Sequence, residues 1–214
     1  MSASSLAWLG RRLAKPKARV QIPAGALFKI SLLIFHMRKI EFEGILYIWL
    51  SWNDVLKDIE VLSGKIKQIS EKIDKIVGVL RWGSLIAVLL SDKLRINRVY
   101  SVGCRHYTGI DERERFEIYQ PLPSSFKSDC ALIVDDVSDT GKTLSQLKEY
   151  IRKKSKKVLT ATLHVKSHTS FIPDLYARKF EGRVWICYPW SRYEFEEKFS
   201  SKYGRKTFKK VFLS

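Results

Sequence analysis

The chain has 214 residues, 45% hydrophobic and 29% charged, which is enough for one domain with a core and excludes a low-complexity polymer. Its formal net charge of +17 would attract polyanions, but no aromatic–basic repeat or helix-turn-helix pattern predicts a specific nucleic-acid site. The three cysteines are scattered, which excludes a zinc motif or a disulfide scaffold and favours a reducing, cytoplasmic setting.

The first forty residues differ from the rest because they carry eight basic side chains and no acid. An apolar run over residues 26–35 is too short to span a bilayer, so no membrane association is expected. We expect residues 1–44 to be a basic extension, either poorly ordered or lying upstream of a translation start at Met37. Residues 45–214 are then the functional domain.

From residue 45 onward, predicted strands alternate with predicted helices. This alternation predicts an α/β fold, with a Rossmann-like parallel sheet flanked by helices and right-handed crossovers. A long loop or hairpin is expected over residues 104–129, which are polar and interrupted by glycine and proline. A basic tail is expected after the last helix. The predicted strands are 46–49, 75–80, 98–103, 131–134, 157–165 and 184–187, and the predicted helices are 51–73, 84–94, 143–153 and 194–202.

The most informative segment is the apolar strand 131–134, which ends in the adjacent acids Asp135 and Asp136 and leads through a polar loop into a helix. A helix N-terminus offers unpaired N–H groups and a positive dipole end to an anion, and Gly141 allows a close backbone approach. Two carboxylates would repel a bare phosphate, but they suit a vicinal diol or Mg²⁺. A sugar phosphate meets both demands, whereas a surface turn with a capping Asp needs only one acid.

This segment resembles the phosphoribosyl-pyrophosphate (PRPP) motif of type I phosphoribosyltransferases, and the likeness extends over about residues 45–192. The resemblance implies that family's fold, with a flap or hood region, and archaeal-like 6-oxopurine enzymes are the nearest subgroup. It implies that Asp135 and Asp136 hold the ribose hydroxyls and, with PRPP, Mg²⁺. It also implies a phosphate loop formed by Ser138, Asp139, Thr140, Gly141, Lys142 and Thr143.

The segment Arg81-Trp82-Gly83 also follows a buried strand and opens a helix. It resembles the pyrophosphate loop of the same family, in which a basic residue precedes two glycines and a cis peptide often occurs. Trp82 departs from that pattern because it stands where the first glycine is usual. By itself, the segment would be an ordinary turn.

Residues 104–129 lie where the family carries a mobile flap that excludes water from the reaction centre. Arg105, His106 and Tyr107 are candidates for contact with pyrophosphate. The alternative is a solvated hairpin whose charges have no part in binding.

The resemblance to 6-oxopurine enzymes also implies a base site. Lys166 would donate to the purine exocyclic oxygen, Trp185 would stack on the ring, and the backbone of Ile186 would contact the ring edge. Asp139 would act as general acid/base at the purine N7. The alternatives are a surface lysine at 166 and core packing for Trp185 and Trp190.

The predicted activity is therefore transfer of the 5-phosphoribosyl group from PRPP to a purine, with pyrophosphate as the second product. An adenine-specific enzyme on the same scaffold and an RNA-binding regulator that senses PRPP or nucleotides are the alternatives. The family resemblance further implies a homodimer or a homotetramer. The sequence leaves open which purine is used and which flap residues contact pyrophosphate.

Overall fold

The computed structural model describes residues 37–107 and 115–213. The strands of these residues are β1 (Arg38–Phe42), β2 (Ile45–Trp49), β3 (Lys75–Val79), β4 (Val99–Tyr107), β5 (Arg115–Gln120), β6 (Ser128–Ser138), β7 (Ser155–Lys166), β8 (Leu175–Phe180) and β9 (Val184–Cys187). The helices are α1 (Trp52–Lys67), α2 (Trp82–Leu94), α3 (Lys142–Arg152), α4 (Arg192–Tyr203) and α5 (Arg205–Phe212).

Six strands form the main sheet in the order β5-β4-β3-β6-β7-β8. The neighbours from β4 to β8 are parallel, and only β5 at the edge runs antiparallel to its neighbour. The predicted α/β class with a parallel sheet is confirmed. Strand β6 lies in the middle of the sheet, so its carboxyl end opens onto the edge where ligands bind in such folds.

Helices cover both faces of this sheet. Apolar residues of α1 and α2 recur every three or four positions, and they pack with β6 and β7 into one core cluster. Helix α3 covers the other face, where Leu144, Leu147 and Ile151 pack against Ile133 and Val77. These side chains are almost wholly buried, which is worth about 1.5–3 kcal/mol each in transfer free energy.

A second, three-stranded sheet has the order β1-β2-β9 and is covered by α4 and α5; we call this assembly the hood. Its core is aromatic, with Tyr47 packed edge-on against Phe212 at a centroid distance of 5.4 Å. Phe195 and Phe199 of α4 fill the space beside them. The hood brings β9 and the start of α4 beside the carboxyl end of β6, because Tyr188 packs in a cluster with Val137.

Several boundaries differ from the sequence prediction. Helix α1 begins as predicted at the cap Ser51, whose hydroxyl accepts from the Asp54 N–H at 3.2 Å, but it ends at Lys67 rather than near residue 73. The apolar pattern predicted too long a helix because Ile69 and Ile73 still pack on the core after the helix has ended. The predicted basic tail is a helix, α5, because Phe208 and Phe212 bury against the hood.

Three strands were not among the predicted ones, and one of them, β5, lies in the segment expected to be a loop or hairpin. Strand β8 forms the far edge of the main sheet, and β1 pairs antiparallel with β2 in the hood. The domain boundary predicted at residue 45 therefore falls within a hairpin whose first strand begins at Arg38. The predicted extension before Met37 lies outside the described residues. None of the helices in the described ranges is both long and apolar enough to cross a bilayer.

Candidate functional site

The adjacent acids Asp135 and Asp136 lie near the carboxyl end of β6, and Asp136 lines a cleft between the main sheet and the hood. The backbone N–H of Asp136 donates to the Asp135 Oδ1 at 3.0 Å, which orients the Asp135 side chain. Burial raises the pKa of Asp135 well above its usual range, and the neighbouring Asp136 charge raises it further. Burial also raises the pKa of Asp136, to about 6. Such a pair gains from a ligand that brings hydroxyl donors or a cation.

The loop that opens α2 packs directly on this acid pair. A Cβ added to Gly83 would stand 2.4 Å from the Val134 carbonyl oxygen and 2.9 Å from the Asp135 Cα, so only glycine fits. The Leu80–Arg81 peptide bond is cis. The Arg81 guanidinium lies 4.8 Å from the Trp82 ring centroid and pairs with Glu194 of the hood at 3.0 Å.

The predicted phosphate loop turns into α3 through Gly141, which has a φ of +83° and is the N-cap of the helix. Only glycine adopts this conformation readily, and a Cβ here would also meet Phe171 at 2.5 Å. The Thr143 hydroxyl lies 3.3 Å from His106 Nε2 of β4. The loop therefore presents the amide-rich start of an eleven-residue helix beside strand β4.

Ser138 is predicted to bind PRPP, but its hydroxyl is bonded to other residues of the protein. It is buried, and its hydroxyl donates to the Phe171 carbonyl oxygen at 2.8 Å and lies 2.9 Å from the Thr169 hydroxyl. The Thr140 carbonyl oxygen accepts from the Ser170 N–H at 3.1 Å and from its hydroxyl at 2.8 Å. Segment 169–171 thus braces the phosphate loop from behind, and Ser138 is part of that brace.

Asp139 lies between the side chains of Lys166, the last residue of β7, and His168, in the turn that follows. Its Oδ2 accepts from Lys166 Nζ at 2.8 Å, and its Oδ1 lies 2.7 Å from His168 Nε2. The Lys166 side chain is mostly buried, whereas Asp139 and His168 are about half exposed. The cleft therefore presents a hydrogen-bond acceptor and a donor side by side at one end.

The cleft has a volume of about 240 Å³ and is lined by both the main sheet and the hood. The Trp185 indole lies on its hood side and is 40% exposed, so one face is available to a flat ligand. Trp190 is instead packed, since its ring stacks on Tyr188 at a centroid distance of 4.7 Å and an angle of 9°. Trp190 is therefore packed against its neighbours, whereas Trp185 keeps an exposed surface in the cleft.

A buried chain of polar contacts runs from the backbone of Asp136 to the side chains of Asp58 and Arg178. The Tyr188 hydroxyl lies 2.7 Å from His164 Nδ1 and 3.2 Å from the Asp136 carbonyl oxygen. His164 Nε2 lies 3.0 Å from Asp58 Oδ2, and Arg178 donates to the other oxygen of Asp58 at 2.6 Å. Burial lowers the pKa of His164, so its ring is neutral and donates to Asp58 through Nε2.

The segment predicted to form the flap, residues 104–129, contains a hairpin in which β4 pairs antiparallel with β5. Across it, Arg105 donates to Glu117 at 2.8 Å, and His106 contacts the phosphate loop as described above. Residues 108–114, which join the two strands, lie outside the described residues, as does the side chain of Tyr107.

Of the predicted site residues, six line the cleft, namely Trp82, Asp136, Asp139, Lys166, Trp185 and Ile186. Gly83, Asp135 and Gly141 support it, while Thr140 and Lys142 lie exposed on the adjoining phosphate loop. Sequence reasoning missed His168, Tyr188 and Glu194. A signal existed for His168, because it stands two residues after Lys166 at the end of the same strand. No sequence pattern connects Glu194 with Arg81, since they are 113 residues apart.

Among the described residues, no group of three or more His, Cys, Asp or Glu side chains could hold a metal by itself. Two adjacent carboxylates are nevertheless a fitting partial donor set for Mg²⁺, which takes one or two carboxylates and completes its shell with substrate oxygens and water. The chemistry of Asp135 and Asp136 fits a metal that arrives with a phosphorylated ligand.

Residues 50–190 match the family model described as "Phosphoribosyl transferase domain". The structure is similar to the crystal structure of a purine phosphoribosyltransferase from Pyrococcus horikoshii Ot3, with a TM-score of 0.59 and 36% sequence identity. That match covers 67% of this chain and 93% of the other.

Two further relatives are named xanthine-guanine phosphoribosyltransferase. The one from Idiomarina loihiensis is 23% identical over 142 residues, covering 66% of this chain and 85% of the relative. The one from Cereibacter sphaeroides is 26% identical over 144 residues, covering 65% of this chain and 84% of the relative.

Proposed function

The chain belongs to the phosphoribosyl transferase domain family, and we propose that it transfers the 5-phosphoribosyl group from PRPP to a 6-oxopurine. The products are a nucleoside monophosphate and pyrophosphate. The relatives' names support a purine acceptor, and the observation that carries the choice of a 6-oxopurine is the Asp139–Lys166 pair at 2.8 Å inside the cleft.

The pair supports this choice because O6 and N7 share one edge of a 6-oxopurine and can be contacted together. Lys166 has only donors and suits O6, while the Asp139 carboxylate has only acceptors and suits an N7–H. Adenine carries an amino group in place of O6, so its donor would face the Lys166 ammonium. The exposed face of Trp185 would stack on the ring.

For PRPP, Asp135 and Asp136 would hold the ribose hydroxyls, and Mg²⁺ bound there with substrate oxygens would neutralise charge on the leaving pyrophosphate. The start of α3 after Gly141 would hold the 5′-phosphate. Arg81 and the Gly83 loop, beside the acid pair, would take the pyrophosphate. Arg81 would then exchange its ion pair with Glu194 for phosphate oxygens.

In the reaction, a purine ring nitrogen forms a bond to the ribose C1 as the bond from C1 to pyrophosphate breaks. The proton that the purine loses passes from N7 to the Asp139 carboxylate, and the electron pair of the broken bond leaves with pyrophosphate. Lys166, held within 2.8 Å of Asp139, keeps the purine edge aligned with that carboxylate. The flap hairpin would exclude water from the activated ribose.

The test is pyrophosphate release from PRPP and Mg²⁺ with hypoxanthine, guanine, xanthine and adenine as separate acceptors. We expect release with at least one oxopurine and a kcat/KM for adenine lower by about 100-fold or more. Preferred use of adenine would contradict the assignment of Lys166. RNA binding without a nucleotide product would favour the regulator, although the named relatives do not favour it.

Two further expectations stay predictions, one from the family resemblance and one from the scattered cysteines. The first is a homodimer or homotetramer, which light scattering on the purified chain would test. The second is a cytoplasmic location. It is consistent with Cys104, Cys130 and Cys187 all being free thiols in the structure.

A further inference from the structure

A second cleft lies at the other end of the main sheet, where the parallel strands begin. It has a volume of about 590 Å³ and is lined by the first residues of β3, β6 and β7 and by the segments that precede β4 and follow α3. Ser128 in this cleft and Asp136 in the cleft of the proposed active site are eight residues apart on one strand. At about 3.3 Å per residue, the two clefts are roughly 26 Å apart.

The charge of this cleft is strongly positive. Seven of its lining residues are Lys or Arg and two are Asp, and both acids are already neutralised. Asp74 pairs with Lys75 at 2.7 Å, and Asp129 pairs with Lys156 at 2.7 Å.

Four other lining cations, Arg98, Lys127, Lys153 and Lys154, form no ion pair with any residue in the described ranges. Helix α3 ends here, so its negative dipole end accounts for a cation next to it, but Arg98 and Lys127 precede strands rather than end α3. The row of unpaired charges therefore exceeds what one helix end needs.

The lining also restricts what the cleft could bind. None of the described residues that line it is aromatic, so it offers no platform for stacking a base. The unpaired cations lie on the segments that enter β4, β6 and β7. In the order β4-β3-β6-β7, the first and last of these strands are three spacings of about 4.8 Å apart, so the cations span roughly 14 Å. A single phosphate cannot contact all of them, whereas a chain of phosphates can.

We propose that this basic cleft binds a chain of phosphates, contacted through charge alone and without base recognition. Such a chain is offered both by the backbone of a nucleic acid and by inorganic polyphosphate. Binding there is independent of the proposed catalytic site, since the cleft is at the opposite end of the strands.

The experiment measures fluorescence anisotropy of a labelled RNA duplex, with inorganic polyphosphate as competitor, over about 50–200 mM salt. The variant K153Q/K154Q removes two cations from the cleft. The matched control K206Q/K209Q removes two exposed cations from α5 and leaves the same net charge. Pyrophosphate release and the melting temperature of each variant show that both are folded.

We expect the full chain to bind the duplex with affinity that falls steeply with salt. K153Q/K154Q should lose about ten-fold in affinity and lower the salt slope by about two, and the control should lose less than about three-fold. Competition by polyphosphate would support phosphates of either origin, and its failure would support a nucleic-acid backbone. Equal losses in both variants, or no binding at low salt, would overturn the proposal.

Discussion

Replacing Tyr188 by phenylalanine should lower both the thermal stability of the fold and the affinity for PRPP. The substitution keeps the ring that stacks on Trp190 and removes only the hydroxyl, which bridges His164 Nδ1 at 2.7 Å and the Asp136 carbonyl oxygen at 3.2 Å. The hydroxyl has a single proton, and the neutral His164 ring uses its own proton on Asp58. His164 Nδ1 is therefore an acceptor that depends on Tyr188.

The size of the effect follows from burial. His164 is 0% exposed, so its Nδ1 would have no water to replace the lost donor. An unsatisfied buried acceptor costs about 1–3 kcal/mol, which corresponds to a fall in Tm of about 2–4 °C per kcal/mol for a chain of this size. The hydroxyl also lies 3.2 Å from the Asp136 carbonyl oxygen, and loss of this contact should raise the Kd for PRPP by roughly 2- to 12-fold, or about 0.5–1.5 kcal/mol, if it positions the acid pair.

The assays are thermal unfolding and calorimetric titration with PRPP and Mg²⁺. Tyr193→Phe is the matched control, because Tyr193 is 89% exposed and the same hydroxyl is removed there without loss of a buried contact. We expect the control to behave as the unmodified chain in both assays. A Tyr188→Phe variant with unchanged Tm and unchanged PRPP affinity would refute the claim that the buried contacts of Tyr188 and His164 support the acid pair.

Three more changes test other contacts. Asp139→Asn should lower kcat by about 100-fold or more while PRPP affinity changes little, and an equal loss in both would mean that Asp139 only shapes the loop. Gly83→Ala should abolish tight PRPP binding and destabilise the fold by about 1–3 kcal/mol, because its Cβ would meet the Val134 carbonyl oxygen at 2.4 Å. Gly64→Ala, in α1 with nothing within 4 Å of the added Cβ, should instead be neutral or stabilising, and similar effects at the two glycines would count against the packing argument. Asp74→Asn should cost about 1–2 kcal/mol at neutral pH. Burial raises the pKa of Asp74, but hydrogen bonds from Lys75, Ser128 and the Cys130 N–H outweigh it and lower the pKa from 3.8 to about 2. That stability is present above pH 3.8 and is lost as the pH falls toward 2, so denaturant unfolding of the two proteins should converge there, and a difference unchanged with pH would show that the ionised Asp74 is not its source.

The central βα units could be predicted from the sequence because their patterns are local. Strand β6 contains a continuous apolar run at residues 131–134, and the polar loop after it has a glycine where the backbone needs a positive φ. The hood was harder to predict because its strands depend on distant partners. Strand β2 pairs with β9, more than 130 residues later, and Phe208 of α5 is buried in a cluster with residues of that sheet.

The same distinction applies to the candidate site. Asp135, Asp136 and Asp139 stand in one short segment, so the sequence alone was enough to predict them as parts of one site. The contact of Arg81 with Glu194 could not be predicted, because it joins segments that meet only in the folded chain. Ser138 was predicted as part of the phosphate loop, but it is the last residue of β6, and the direction of its hydroxyl depends on segment 169–171, which has no recognisable pattern.

The central claim is that the adjacent acids at the end of β6 hold the activated ribose of PRPP. Calorimetric titration with PRPP and Mg²⁺ tests it most directly, using the unmodified chain, the variant D135N/D136N and the control D129N, whose changed acid lies at the start of the same strand. We predict heat of binding for the unmodified chain and for D129N, and its loss in D135N/D136N with the fold retained. An unmodified chain that gives no heat, or a double variant that binds as tightly as the control, would contradict the claim.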